Sequence, residues 1–93
     1  MAEIVTGIKF KVIKLTLLEL REVAGDYAMG MCERCNKASF EGYYIAVLNR
    51  YYCPKCFNDW LRRATYYPED KPFEDEFFNF WKTQLKNKEL LNE

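Results

Sequence analysis

From Ile8 to Val12 apolar residues alternate with lysines (Ile8, Lys9, Phe10, Lys11, Val12), the period-two pattern of a strand that buries one face. The phase slips at Ile13, where Ile13 and Leu15 take the parity that Lys9 and Lys11 held, so a bulge or the end of the strand is expected there. Thr16 and Glu19 then stand at the S/T-x-x-E spacing of a capping box, flanked by Leu15 and Leu20 at the positions of a hydrophobic staple. This predicts a short helix from Leu17, with Leu17, Leu20, Ala24 and Tyr27 on its apolar face and Gly25 as its left-handed stop.

Two tyrosine-rich runs follow, Gly42 to Val47 and Arg50 to Cys53, separated by Leu48 and Asn49. They read as a hairpin, with Asn49 suited to the positive φ that a tight turn demands. Adjacent residues on a strand point to opposite faces, so Tyr43-Tyr44 and Tyr51-Tyr52 pose a choice. Either both faces of the sheet are covered, by the N-terminal strand and helix and by the last helix, or tyrosines stand exposed for bases or a partner to pack on.

After Pro54 the period becomes helical, with Phe57, Trp60, Leu61 and Ala64 on one face. Residues 66–71, which carry a third tyrosine pair, read as a turn around Pro68. A last helix is expected from Pro72 to about residue 91, with Glu74, Asp75 and Glu76 in its first turn and Lys82, Lys86 and Lys88 later, as the helix dipole favours. Phe73, Phe77, Phe80, Trp81 and Leu85 share its face, and Phe78 widens the apolar arc to about 160°, against the stripe of about 100° that a surface helix needs. Such a helix either lies in a groove of its own domain or offers a flank, Phe78 with Leu85, to a second protein.

These elements make an α+β fold in a single domain of 93 residues: strand plus helix in 1–30, a cysteine-rich hairpin unit in 31–66 and a C-terminal helix in 72–91. A chain this short buries only about 60% of its unfolded surface, so it calls for a staple. Hydrophobic residues at 49% and aromatic ones at 17% exclude a disordered chain. With 14 basic and 14 acidic side chains the net charge is zero, which argues against a bulk nucleic-acid coat. Residues 31–66 hold six basic and three acidic side chains (+3) and residues 67–93 four basic and seven acidic (−3), a mild polarity. Glu3 interrupts the start of the chain, no basic region precedes a long apolar run, and no stretch approaches a membrane span of about 20 residues. The expectation is a soluble, cytoplasmic protein whose thiols stay reduced.

Cys32-x-x-Cys35 and Cys53-x-x-Cys56 lie 17 residues apart, inside the spacing window of a zinc site. Two tight turns can each aim a pair of sulfurs at one ion about 2.3 Å away. The chain has no histidine and no fifth cysteine, so the expected ligand set is four thiolates around one structural Zn2+. That set leaves no open position for water or substrate. Together with the lack of a histidine base or a Gly-rich phosphate loop, it predicts no enzyme and no small-molecule substrate. A redox dithiol is the alternative, but its usual βαβ setting is missing.

A cysteine knuckle, a hairpin, and a CxxC whose last cysteine falls in the first turn of a helix resemble the treble-clef zinc finger superfamily over about residues 31–65. The resemblance implies a fold and leaves function open, since members bind nucleic acid, bind protein or only support structure. More loosely, a short treble clef with strand and helix additions is similar to small proteins of phages and mobile elements. Some of those inhibit host nucleic-acid enzymes, as anti-CRISPR proteins do.

Recognition of another macromolecule is therefore the expected function, with a protein partner placed ahead of nucleic acid and an inhibitor of a nucleic-acid enzyme as a further alternative. The candidate contact residues are Tyr44, Arg50, Tyr52, Arg62, Arg63 and Phe78. Arg34, Lys37 and Lys55 sit within or beside the cysteine pairs, where their charge would offset the formal −2 of a tetrathiolate zinc.

Overall fold

In the computed structural model residues 1–25 and 28–92 are described. Tyr27, expected on the first helix face, lies outside them. The elements are β1 (Ala2–Ile4), β2 (Val12–Thr16), α1 (Leu17–Ala24), β3 (Glu41–Ile45), β4 (Arg50–Tyr52), α2 (Pro54–Arg63), a 3-10 turn (Pro68–Asp70), α3 (Lys71–Asn87) and β5 (Leu91–Asn92). The strands form one mixed sheet in the order β4-β3-β2-β1-β5, with β5 parallel to β1 and every other neighbour antiparallel. Among the described residues no helix is long and apolar enough to cross a membrane.

The first strand differs from the expectation. Residues 8–10 bend, and β2 begins at Val12 and runs straight through Ile13, where a slip was expected. The reason is that both faces of the sheet are covered, so Val12 and Ile13, on opposite faces, are both fully buried and no bulge is required. Phe10 instead folds over α2, its ring 4.8 Å from that of Trp60.

The capping box forms as the spacing predicts. Thr16 Oγ1 accepts from the Glu19 amide (3.4 Å) and a Glu19 carboxylate oxygen accepts from the Thr16 amide (2.7 Å). Leu15 and Leu20 pack in one cluster, and Gly25 closes α1 at φ 106°. The hairpin pairs Tyr43 with Tyr52 and Tyr44 with Tyr51 across a loop of residues 46–49, in which Asn49 takes φ 53°.

Coverage of both faces settles the tyrosine choice. Tyr44 and Tyr51 lie on the first face with Ile13 and Leu15, under Leu20 of α1 and Phe78 and Leu85 of α3. The Tyr44 ring stacks on Trp81 at 4.1 Å. Tyr43 and Tyr52 lie on the second face with Val12 and Ile45, under Cys56 and Phe57 of α2, and Tyr43 stacks on Phe57 at 4.1 Å.

The last helix corrects two expectations. It ends at Asn87 rather than near residue 91, because Glu89 turns into the left-handed region (φ 58°). There the Leu90 amide donates to the Leu85 carbonyl (2.8 Å) and the Glu89 amide to that of Lys86 (3.0 Å), the bond pair of a Schellman motif. The chain then returns as β5 beside β1. The helix is also rotated from its expected phase: Glu74, Phe78 and Leu85 are buried, while Phe73 and Phe80 are exposed. Lys11 causes this rotation, since its amide donates to the Glu74 carboxylate (3.0 Å) and its ammonium pairs with Asp75.

Two substitutions test these placements by urea unfolding. A Cβ at Gly42 would lie 2.5 Å from the Tyr51 ring and 2.6 Å from the Tyr52 carbonyl oxygen, so Gly42→Ala should cost about 1–3 kcal/mol. Glu89→Gly removes a side chain from left-handed backbone and should add about 0.5–1 kcal/mol, the steric gain net of glycine's extra chain entropy.

Candidate metal centre

The first sulfur pair is shaped by a backbone knuckle. Residues 33–35 turn, Asn36 takes φ 62°, and its amide donates to the Cys32 carbonyl (2.8 Å). The Cys32 amide donates to the Lys37 carbonyl (2.9 Å), and the Arg34 amide to Cys32 Sγ (3.4 Å). An isolated bridge between Met31 and Ala38 closes the base of the loop.

Glu33, between the two cysteines, docks this knuckle on the sheet. Its amide donates to the Tyr51 carbonyl (2.9 Å) and its carboxylate accepts from the Tyr51 amide (2.8 Å). Both groups lie on β4, an edge strand, so the knuckle supplies the pairing that the edge would otherwise lack. The second sulfur pair comes from a helix start. Cys53 is the N-cap of α2, Pro54 opens its first turn, and Cys56 is buried within that turn.

The four sulfurs lie within 4.8 Å of one another, with Cys35 and Cys53 at 3.9 Å. A tetrahedron with metal–sulfur bonds of about 2.3 Å has edges of about 3.8 Å, so the cluster has the dimensions to hold one metal ion. All four cysteines are free, and 3.9 Å is well beyond a sulfur–sulfur bond of about 2.05 Å.

Electrostatics favours a cation there. Burial works to raise the Cys32 thiol, but backbone amides of Cys35, Cys53 and Arg34 outweigh it and bring the group down to about 6. Cys56 is pushed up to about 12 by burial and by the neighbouring thiols. Cys32 thus ionises readily while Cys56 resists, a conflict that a shared dication removes.

Arg34 ties the knuckle to the helix. Its guanidinium pairs with Asp59 (2.6 Å) and donates to the Cys56 carbonyl (3.4 Å). Arg62 (3.0 Å) and Arg63 converge on the same carboxylate, and Arg34 first, then Arg63, hold Asp59 below its ordinary range. Glu33 and Asp59 were not anticipated as site residues. An acid inside the first CxxC and another three residues after the last cysteine of the second were the available signals.

The expected contact residues are not brought together. Tyr44 (2% exposed), Tyr52 (9%) and Phe78 (7%) are buried in the two clusters and offer no surface to a partner, because each is covered by a helix. Arg50, Arg62 and Arg63 are exposed, Arg50 beside Glu33 at 4.0 Å and the other two on Asp59. Neither of the two candidate tyrosines reaches the surface to stack beside them.

Compared with known proteins, the chain matches no family model, no curated protein and no solved structure.

Co2+ titration reports the site's geometry. Binding should saturate at one equivalent with the intense visible bands of a tetrahedral tetrathiolate, and Cys→Ser at any of the four positions should strip that intensity. The weak spectrum of a six-coordinate ion would contradict the assignment.

Proposed function

We propose that Cys32, Cys35, Cys53 and Cys56 bind one structural Zn2+ as four thiolates, in a treble-clef module spanning residues 31–65 that serves to recognise another protein without catalysis. The observation that carries this reading is the convergence of four sulfurs from a knuckle and a helix start within 4.8 Å. The all-thiolate set suits a soft-tolerant, tetrahedral d10 ion, and closure by four protein ligands fits a structural ion rather than a catalytic one. When bound, zinc supplies folding free energy, on the order of 10 kcal/mol in small zinc domains, comparable with the stability of a whole domain.

A protein partner is favoured over nucleic acid by the surface that remains. The candidate stacking tyrosines are buried, the net charge is zero, and the exposed large side chains include Phe73, Phe80, Phe40 and Met29. Exposed aromatic and methionine side chains suit protein contacts, and three arginines of the finger, Arg34, Arg62 and Arg63, are held by Asp59. Among the described residues none singles out the inhibitor reading.

Elemental analysis of reduced, folded protein should give one zinc per chain, and a chelator should unfold it. A partner captured by the tagged protein from its host should stay bound after nuclease treatment and show little salt dependence. Less than one zinc per chain would contradict the metal assignment. Loss of the partner with nuclease, or affinity falling steeply with salt, would move the reading to nucleic acid.

A further inference from the structure

The rotation of α3 turns aromatic side chains outward. Phe73 and Phe80 are 61% and 54% exposed and seven residues apart, so they stand about 10 Å apart along one flank of the helix. Beside them α1 and α3 leave a trough of about 460 Å³ lined by Val23, Ala24, Glu76, Phe77, Phe80 and Trp81. Ala24 keeps one wall low, and Trp81, stacked on Tyr44, makes the floor rigid. A helix pair with an apolar cleft between its members is the form of site that takes an amphipathic helix.

Charge identifies the occupant. The acids next to Glu76 are already engaged: Glu74 accepts the Lys11 amide, and Asp75 pairs with Lys11 and Lys71. Among the described residues the exposed Glu76 makes no ion pair and is the one charged side chain lining the trough. Glu69 and Asp70 lie in the turn just before the helix and add negative charge at the Phe73 end. An incoming segment therefore gains from a cation beside its apolar stripe.

A second copy of the chain fits less well. At helical spacing the residues that continue this flank beyond Phe80 are Thr83, Gln84 and Asn87. An antiparallel pairing of two such flanks would set these neutral side chains, with no cation, against Glu76.

We infer that the trough between α1 and α3 is a docking site for an amphipathic helix of a partner protein, its apolar face against Phe73, Phe77 and Phe80 and a lysine or arginine on Glu76. The inference rests on the protein-recognition reading above and names the surface and the partner chemistry.

The probes are two 18-residue helical peptides with the same leucine stripe, one carrying lysines and the other glutamates beside it, titrated into the full zinc-loaded chain. The readout is the indole N–H resonance of Trp81, distinguished from Trp60 by a Trp60→Phe control. The lysine peptide should shift the Trp81 signal saturably and bind at least about tenfold more tightly than the glutamate peptide. Glu76→Lys should reverse that order, and Phe80→Ala, at an exposed site that leaves the fold intact, should weaken the lysine peptide about tenfold or more.

Equal binding of the two peptides, no response at Trp81, or a response that survives both substitutions would overturn the inference. So would a concentration-dependent dimer in sedimentation that Phe80→Ala abolishes, which would make a second copy the occupant. Failure of the peptides with one zinc per chain and a nuclease-resistant host partner would sink this docking site alone. A missing zinc or a nuclease-sensitive partner would strike the function reading itself.

Discussion

Four sulfurs brought within 4.8 Å of one another constrain this fold more than any other contact. Four sulfurs at such a distance, two of them buried, are stable neither as four thiolates, which repel, nor as four apolar groups, since the amides aimed at Cys32 favour its charge. A divalent cation resolves both problems. Once the sulfurs are held, the knuckle is held, and Glu33 with it closes the free edge of β4. The same anchor fixes the start of α2, whose Phe57 lies on Tyr43. The sulfur cluster is thus joined to the second face of the sheet by two short links.

The first face has a separate logic. α1 and α3 cover it through Leu20, Phe78 and Leu85, and the Lys11 contacts to Glu74 and Asp75 set the rotation of α3. With both faces covered, each double tyrosine of the hairpin becomes a device for bonding one strand to two layers. Tyr44 and Tyr52 leave the surface for this reason, while Phe73 and Phe80 on α3 and Arg62 and Arg63 at the end of α2 stay exposed. Among the described residues the aromatic side chains left mostly outside are Phe40, Tyr67, Phe73 and Phe80.

Local chemistry made part of this legible in advance. The Thr16 and Glu19 spacing, the Asn49 turn, the Pro54 helix start and the paired cysteines each depend on a few neighbouring residues, and each lies where its pattern points. What escaped the sequence depends on distant partners. β1 and β5 have three and two residues, too few to show a period, and exist because they pair with strands elsewhere. The end of α3 is marked by a glutamate in left-handed backbone where a glycine would have been readable. Its phase was misjudged because six apolar residues outvote Glu74, whose burial is repaid by an amide 63 positions away. The burial of Tyr44, Tyr52 and Phe78 was hidden for the same reason, since exposure is decided by which layer lands on top.

The most direct test of the dependence on the metal is amide hydrogen exchange of the zinc-loaded chain before and after stoichiometric chelation. The account predicts that the amides of Cys32, Tyr51 and Phe57, which donate to the Lys37 carbonyl in the knuckle, to the Glu33 carboxylate from the β4 edge and to the Cys53 carbonyl at the start of α2, lose protection together once the ion is removed. Retained protection at Tyr51 and Phe57 in the chelated protein would contradict it, because the sheet edge and the helix would then stand without the metal.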